Sequence, residues 1–175
     1  HPAMDAETAG LVSSLREQLD RLTALVRTLL EMSNLQSVSR TDHIALAPLV
    51  EEILTDLTPL AQKNNISLQQ DCAELGMVGS DALIYRLVFN LVENGIKYNR
   101  PGGAVRVTLQ QEKQTAVLRI TDTGPGIPAD CRESIFQPFF RVDKSRSREM
   151  GGVGLGLALV REIAVLHGGG VTVES

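Results

Sequence analysis

From Ala6 to about Met32 apolar residues recur at helical spacing. Val12, Leu15, Leu19, Leu22, Val26 and Leu29 follow one another at steps of three and four. That is the heptad seam of a coiled coil or helix bundle. Arg16, Glu17, Asp20, Arg21 and Arg27 fill the other faces, while Leu25 and Leu30 widen the apolar stripe. The wider stripe favours a four-helix bundle over a two-stranded seam. A helix cannot bury such a stripe alone; packing on its own domain is the other way to cover it.

Ser33 to Asp42 is polar, holds three serines and reads as a linker. Beyond it the pattern becomes that of an α/β domain. Ala47 to Gln62 predicts a helix and Ile66 to Gln70 a short strand. Asp81 is placed to cap a longer helix running to about Tyr98. Asn99-Arg100-Pro101-Gly102-Gly103 breaks that helix. Ala104 to Gln110 and Thr115 to Thr121 alternate like two antiparallel strands. A Gly- and charge-rich segment spans Asp122 to Gly152. A last helix covers Gly154 to His167, stopped by Gly168-Gly169-Gly170, and Val171-Thr172-Val173 begins a final strand.

Composition narrows the classes. The chain has 175 residues, 43% apolar, 22% charged, with net charge -4. That suits one compact domain plus an appendage and lacks the basic footprint of a nucleic-acid binder. Cys72 and Cys131 stand far apart, with no metal-ligand spacing, so free thiols in a reducing compartment are the simplest reading. No run of about 18 apolar residues is present, and no signal peptide is read. His1-Pro2-Ala3-Met4 reads as a cloning scar and is left out of the fold reasoning.

Three constellations carry chemistry. Asn90, Asn94 and Lys97 stand at i, i+4 and i+7 and share one helix face, beside a core side of Leu87, Val88, Leu91 and Val92. A carboxamide oxygen is a hard, neutral ligand suited to Mg²⁺, and an ammonium one turn on can pair with phosphate. Read alone, the face is as readily a solvated polar surface. Asp122-Thr123-Gly124-Pro125-Gly126-Ile127-Pro128 follows an apolar strand; its carboxylate could accept from an exocyclic amine, or simply close a turn. Gly151-Gly152-Val153-Gly154-Leu155-Gly156-Leu157 leads into a helix, whose free N-terminal amides make an anion site. It is not the GxxxxGK[ST] phosphate loop. Between them lie Phe136, Phe139, Phe140, Arg141, Lys144, Arg146 and Arg148. The phenylalanines are placed to anchor a long loop, and its cations to close over a triphosphate.

The ordered set of Asn/Asn/Lys helix, DTGPGIP, FQPFFR and GGVGLGLAL closely resembles the N, G1, F and G2 boxes of bacterial sensor histidine kinases. These belong to the ATPase superfamily that includes gyrase, Hsp90 and MutL. The resemblance covers residues from about 44 to the end, and the heptad helix extends it upstream. It implies an α+β fold: a two-layer α/β sandwich, its mixed, mostly antiparallel sheet covered on one face by about three helices, with a long ATP lid and one stalk helix in front. The implied division is a scar at 1–4, the second helix of a dimerisation and phosphotransfer stalk at 5–36, a linker at 37–44, and an ATP-binding catalytic domain at 45–175 that lacks its last strand.

The implied cofactors are ATP and Mg²⁺. Asn94 matches the metal ligand, Asn90 a support one turn earlier, Lys97 a phosphate-contacting lysine, and Tyr98 an aromatic beside adenine. Asp122 matches the reader of the adenine amino group, with Gly124 and Gly126 shaping the base pocket and Ile127 walling it. Arg141 closes the F box, Arg148 matches a γ-phosphate-contacting arginine, and Gly152, Val153, Gly154 and Leu155 supply amides to the phosphates. Asn90, Lys97, Arg141 and Arg148 are the residues closest to catalysis. The activity implied is phosphoryl transfer from ATP to a stalk histidine. The ATPase relatives keep a glutamate base where this chain has Asn90; Glu93 reads instead as a helix-face carboxylate.

Three departures accompany the likeness. None of His1, His43 and His167 has the phosphoacceptor context, so this chain is expected to bind ATP without autophosphorylating. Relatives continue beyond the position of Ser175, and Gly95 stands where a small alanine is more usual. Expected partners are the stalk domain carrying the histidine, a response regulator and a second copy through the stalk helices. The expected location is the cytoplasmic part of a membrane-anchored kinase. Two other functions stay open: a degenerate nucleotide-binding module that signals without transfer, and an ATP hydrolase of the same superfamily.

Overall fold

A computed structural model of the chain describes residues 6–142 and 154–175. Helix α1 spans Ala6–Asn34, followed by a 3-10 turn at Leu35–Ser37. Strand β1 (Asp42–Ala45) leads into α2 (Leu46–Lys63), β2 (Ser67–Cys72) and β3 (Gly76–Gly79). Helix α3 (Asp81–Lys97), β4 (Ala104–Glu112), β5 (Thr115–Asp122) and α4 (Gly156–Leu166) complete the order.

The strands form two sheets. β1 pairs antiparallel with β3, matching Ile44 to Met77. In the second sheet β4 is central, parallel to β2 and antiparallel to β5, with Val107 opposite Gln70 and Ile120. The parallel β2–β4 pair needs a crossover, and β3 and α3 supply it. On β4 the alternate positions Val105, Val107 and Leu109 are fully buried, which is the period of a strand with one face on the core. Outward-facing Arg106 binds Gln69 Oε1 on β2 through Nε at 3.1 Å and Nη2 at 2.7 Å. Ile53 of α2, Val88, Val92 and Ile96 of α3, and Leu159 and Ile163 of α4 join the same core.

α1 stands apart from this packing. Leu15, Leu19 and Leu22 on its seam are 57–63% exposed. Its end is tied down: Leu35 is 4% exposed within the core and Met32 packs partly against it. No described helix is long and apolar enough to cross a membrane.

The structure differs from the sequence reading in four places. Strands β1 and β3 were not foreseen: each has four residues, too short to show a period, and β1 begins inside the expected linker. Residues 171–175 form no strand; Ser175 instead accepts from the Ile127 amide at 2.7 Å and from Arg132. The α3 N-cap is Ser80, not Asp81, and its side chain makes no capping bond. Asp42 takes that role from β1, its Oδ2 accepting from the Asp81 amide at 3.0 Å. A carboxylate there also meets the positive end of the helix dipole. Finally, the buried anchor of the loop after β5 is Ile135, at 8% exposure, while Phe139 is 56% exposed.

Candidate functional site

The Asn/Asn/Lys face lies on the last two turns of α3, which sits close on the sheet at Gly95. A Cβ there would stand 3.2 Å from Val105 Cγ2 and 3.7 Å from Asp122 Cβ. The residue expected on the base and the helix expected on the metal are thus neighbours. Asn90 donates from Nδ2 to the Arg86 carbonyl at 2.7 Å, which leaves Oδ1 facing the start of α4. Lys97 pairs with Glu93 at 2.8 Å, one turn back on the same helix. Such an i,i+4 pair contributes only about 0.3–0.5 kcal/mol, so an anion can compete for the lysine. Glu93 has the structural partner expected of a helix-face carboxylate.

At the end of β5, Asp122 Oδ1 accepts from the Gly124 amide at 2.8 Å. A Cβ on Gly124 would meet that oxygen at 2.7 Å and the Tyr98 carbonyl at 3.0 Å. Only glycine fits, and it draws Asp122, Gly124 and Tyr98 together. Asp122 is exposed, not buried, and Tyr98 is 42% exposed; a base would lie against an open ledge. Gly126 has a positive φ of 77° and the half-buried Ile127 follows it.

The ledge is braced by two residues the sequence reading passed over. Asn99, 8% exposed, donates from Nδ2 to the Ala104 carbonyl at 3.0 Å. Its Oδ1 accepts from the Arg100 amide at 2.9 Å and the Thr123 hydroxyl at 3.1 Å. Thr123 Oγ1 accepts from the Ala104 amide at 2.9 Å. The α3 end, the β4 start and the β5 end are therefore locked at one point. Asn at a helix end beside Pro-Gly-Gly was a usable signal for such a node.

The side expected to face phosphate includes the start of α4 and the described residues Phe139 to Arg141, Gly154 and Leu155. A Cβ on Gly156 would stand 3.0 Å from Asn90 Oδ1. The Gly154 carbonyl accepts from the Phe139 amide at 2.8 Å, with Phe139 at a positive φ of 66°. This joins the FQPFFR segment to the helix start at Leu155, itself 2% exposed. Nearby in sequence, Arg141 has Nε and Nη2 shielded from water and, among the described residues, without a hydrogen-bond partner. Shielded guanidinium donors left unpaired are costly and call for an anion. Arg148, Gly152 and Val153 lie outside the described residues, as do Lys144 and Arg146.

The donor set fits a magnesium nucleotide. Among the described residues no cluster of three or more His, Cys, Asp or Glu could hold a metal. The carboxamide of Asn94, half-buried and on the same face, offers the neutral oxygen that an ion already sharing phosphate charge accepts. An apolar hollow of about 760 Å³ lies elsewhere, between α1, α3 and α4. It has none of these polar groups, so the chemistry points to the α3–β5–α4 cleft.

Residues 79–175 match the family described as histidine kinase-, DNA gyrase B-, and HSP90-like ATPase. The chain belongs to that family. The sensor histidine kinase RppB of Synechocystis is 38% identical over 174 residues, covering 97% of this chain and 38% of that protein. The sensor-like histidine kinase SenX3 of Mycobacterium tuberculosis is 33% identical over 178 residues, covering 99% of this chain and 43% of that protein. The chain thus spans about two fifths of these relatives. Among solved structures, a mycobacterial sensor histidine kinase, MprB, superposes with TM-score 0.64 at 30% identity, covering 73% of this chain and 80% of that one. The resemblance read from the four boxes and the α+β architecture are borne out.

Proposed function

We propose that the chain binds Mg-ATP in the cleft between α3, the end of β5 and the start of α4, and donates the γ-phosphoryl group to a histidine of a stalk helix pair. The observation that carries this reading is the meeting of Asn90 with Gly156 on one side of α3 and of Gly95 with Asp122 on the other. One helix then touches both the base ledge and the phosphate end.

In this reading Asp122 accepts from the adenine amine, Gly124 and Gly126 shape the ledge, and Tyr98 and Ile127 flank the ring. Asn94 holds Mg²⁺ and Asn90 steadies it. Lys97, Arg141 and Arg148 meet phosphate oxygens, and Gly152 to Leu155 present backbone amides to them. Bound ATP supplies the transferable phosphoryl group, with Mg²⁺ neutralising its oxygens. The side chains position and neutralise, and no carboxylate stands at Asn90 to activate water. Lacking that base suits transfer over hydrolysis.

The acceptor is a histidine other than those described here. His43 lies on β1 opposite Val78, and His167 is hydrogen-bonded within the fold. The exposed seam of α1 suits pairing with other stalk helices and a second copy. By the same reading the intact protein is membrane-anchored with this part in the cytoplasm and passes its phosphoryl group to a response regulator.

The test is to add ATP and Mg²⁺ to this chain together with a separate fragment carrying an intact phosphoacceptor helix pair. Label on the fragment is the expected result. Binding without transfer would make the chain a nucleotide-sensing module, and steady phosphate release would make it a hydrolase.

A further inference from the structure

Helices α3 and α4 lie against each other, and Val88, Leu159 and Ile163 are among the core residues they contribute. Hydrophobic contact is non-directional and does not by itself choose how far one helix slides along the other. A close approach and a hydrogen bond do. At one end Asn90 meets Gly156; at the other, the residue that closes α4, His167, lies over the start of α3.

The Ser80 amide donates to His167 Nε2 at 3.0 Å. His167 Nδ1 lies 2.8 Å from the Ile163 carbonyl. A Cβ on Gly79 would stand 2.7 Å from the ring's Cδ2 and 2.9 Å from Nε2. Ser80 is 3% exposed, so its amide is largely shielded from water. An amide can only donate and a carbonyl can only accept. The two partners therefore fix the ring, with the proton on Nδ1 and Nε2 bare.

The spans match. Ser80 to Asn90 is ten residues and Gly156 to His167 eleven, or about 15 and 17 Å of helix. The two helices run antiparallel, tied by His167 at one end of the overlap and closely approached at Asn90 and Gly156 at the other. A slip of one turn, about 5.4 Å, would carry Gly156 away from Asn90.

We propose that His167 is a positioning residue for nucleotide binding: it sets the register of α4 on α3, and so where the glycine-lined start of α4 stands relative to Asn90 and Asn94. The proposal rests on the Mg-ATP reading of that cleft.

His167→Phe keeps a flat ring and removes the acceptor; His167→Gln keeps a carbonyl acceptor on a flexible arm. Calorimetry is run on the 175-residue chain at a temperature where circular dichroism shows each variant folded. The expected result for His167→Phe is Mg-ATP affinity weakened roughly fivefold or more, the equivalent of one lost hydrogen bond. Adenosine, which engages only the ledge, binds as before, and His167→Gln recovers part of the loss. Unchanged Mg-ATP affinity, or an equal loss for adenosine, overturns the proposal. If His167→Phe does not fold, nitrogen NMR of the wild-type ring decides: a proton on Nδ1 and a slowly exchanging Ser80 amide are expected, and a proton on Nε2 overturns it. Failure of the wild type to bind Mg-ATP would instead remove the cleft reading and the nucleotide role with it, while the NMR result still judges the pin.

Discussion

Asn90 Oδ1 stands 3.0 Å from where a Cβ on Gly156 would lie. That is tighter than most real contacts, so a methyl group there must push the carboxamide aside. Alanine is also the better helix former, though at the first residue of α4 by less than the ~1 kcal/mol of a helix interior. Gly156→Ala is therefore expected to hold or raise the melting temperature while weakening Mg-ATP binding several-fold, about 1 kcal/mol. Parallel melting and calorimetry check this; equal affinity would show that Asn90 does not serve the nucleotide.

Asn94→Ala removes the half-buried carboxamide assigned to Mg²⁺ and leaves the rest of α3 intact. The added affinity that Mg²⁺ gives ATP should vanish, with stability changed by about 1 kcal/mol or less. Titrations with Mg²⁺ and with EDTA supply the comparison, and a surviving Mg²⁺ effect assigns the ion to another group.

Asp122 has one oxygen on the Gly124 amide and is assigned to read the adenine amine with the other. Asp122→Ala should lower discrimination of ATP over GTP by about tenfold, the worth of one hydrogen bond to a charged acceptor. The ledge is exposed, which argues against a larger effect. Competition between the two nucleotides measures it; undiminished discrimination would mean that another group reads the base.

Tyr85 on α3 donates to Asp56 Oδ2 on α2 at 2.5 Å and stacks on Phe89 at 5.9 Å. That hydrogen bond, helped by partial burial and by the charges of Asp56 and Glu52, pushes the phenol up to about 12 from an ordinary 10. The folded value is the higher one. The stabilisation is therefore fully present below about pH 10 and is lost as pH rises through about 12. The pair is open to solvent, so its worth is about 1 kcal/mol or less. Urea unfolding of wild type and Tyr85→Phe should differ at neutral pH and converge near pH 12; parallel curves would refute the assignment.

The long elements were legible because their periods repeat. α1 announced itself by six seam residues, and β4 and β5 by alternation around Val105, Val107 and Leu109. The four-residue strands β1 and β3 were not, since pairing between distant segments, and not local pattern, makes them strands. The site motifs were legible as ordered boxes. What holds them in place was not: Asn99 with Thr123, Asp42 on the Asp81 amide, and His167 on Ser80 join residues 24 or more positions apart. Nothing in the spacing of one chain marks such pairs.

Leu35, one residue past α1, sits in the domain's interior at 4% exposure. Withdrawing a leucine from such a place costs about 2 kcal/mol, roughly a thirtyfold bias against the withdrawn arrangement. The junction is thus a stiff elbow and not a free swivel. A torque carried along α1 would be felt first by one leucine, and the domain beyond it would turn with the helix or have to let that leucine go.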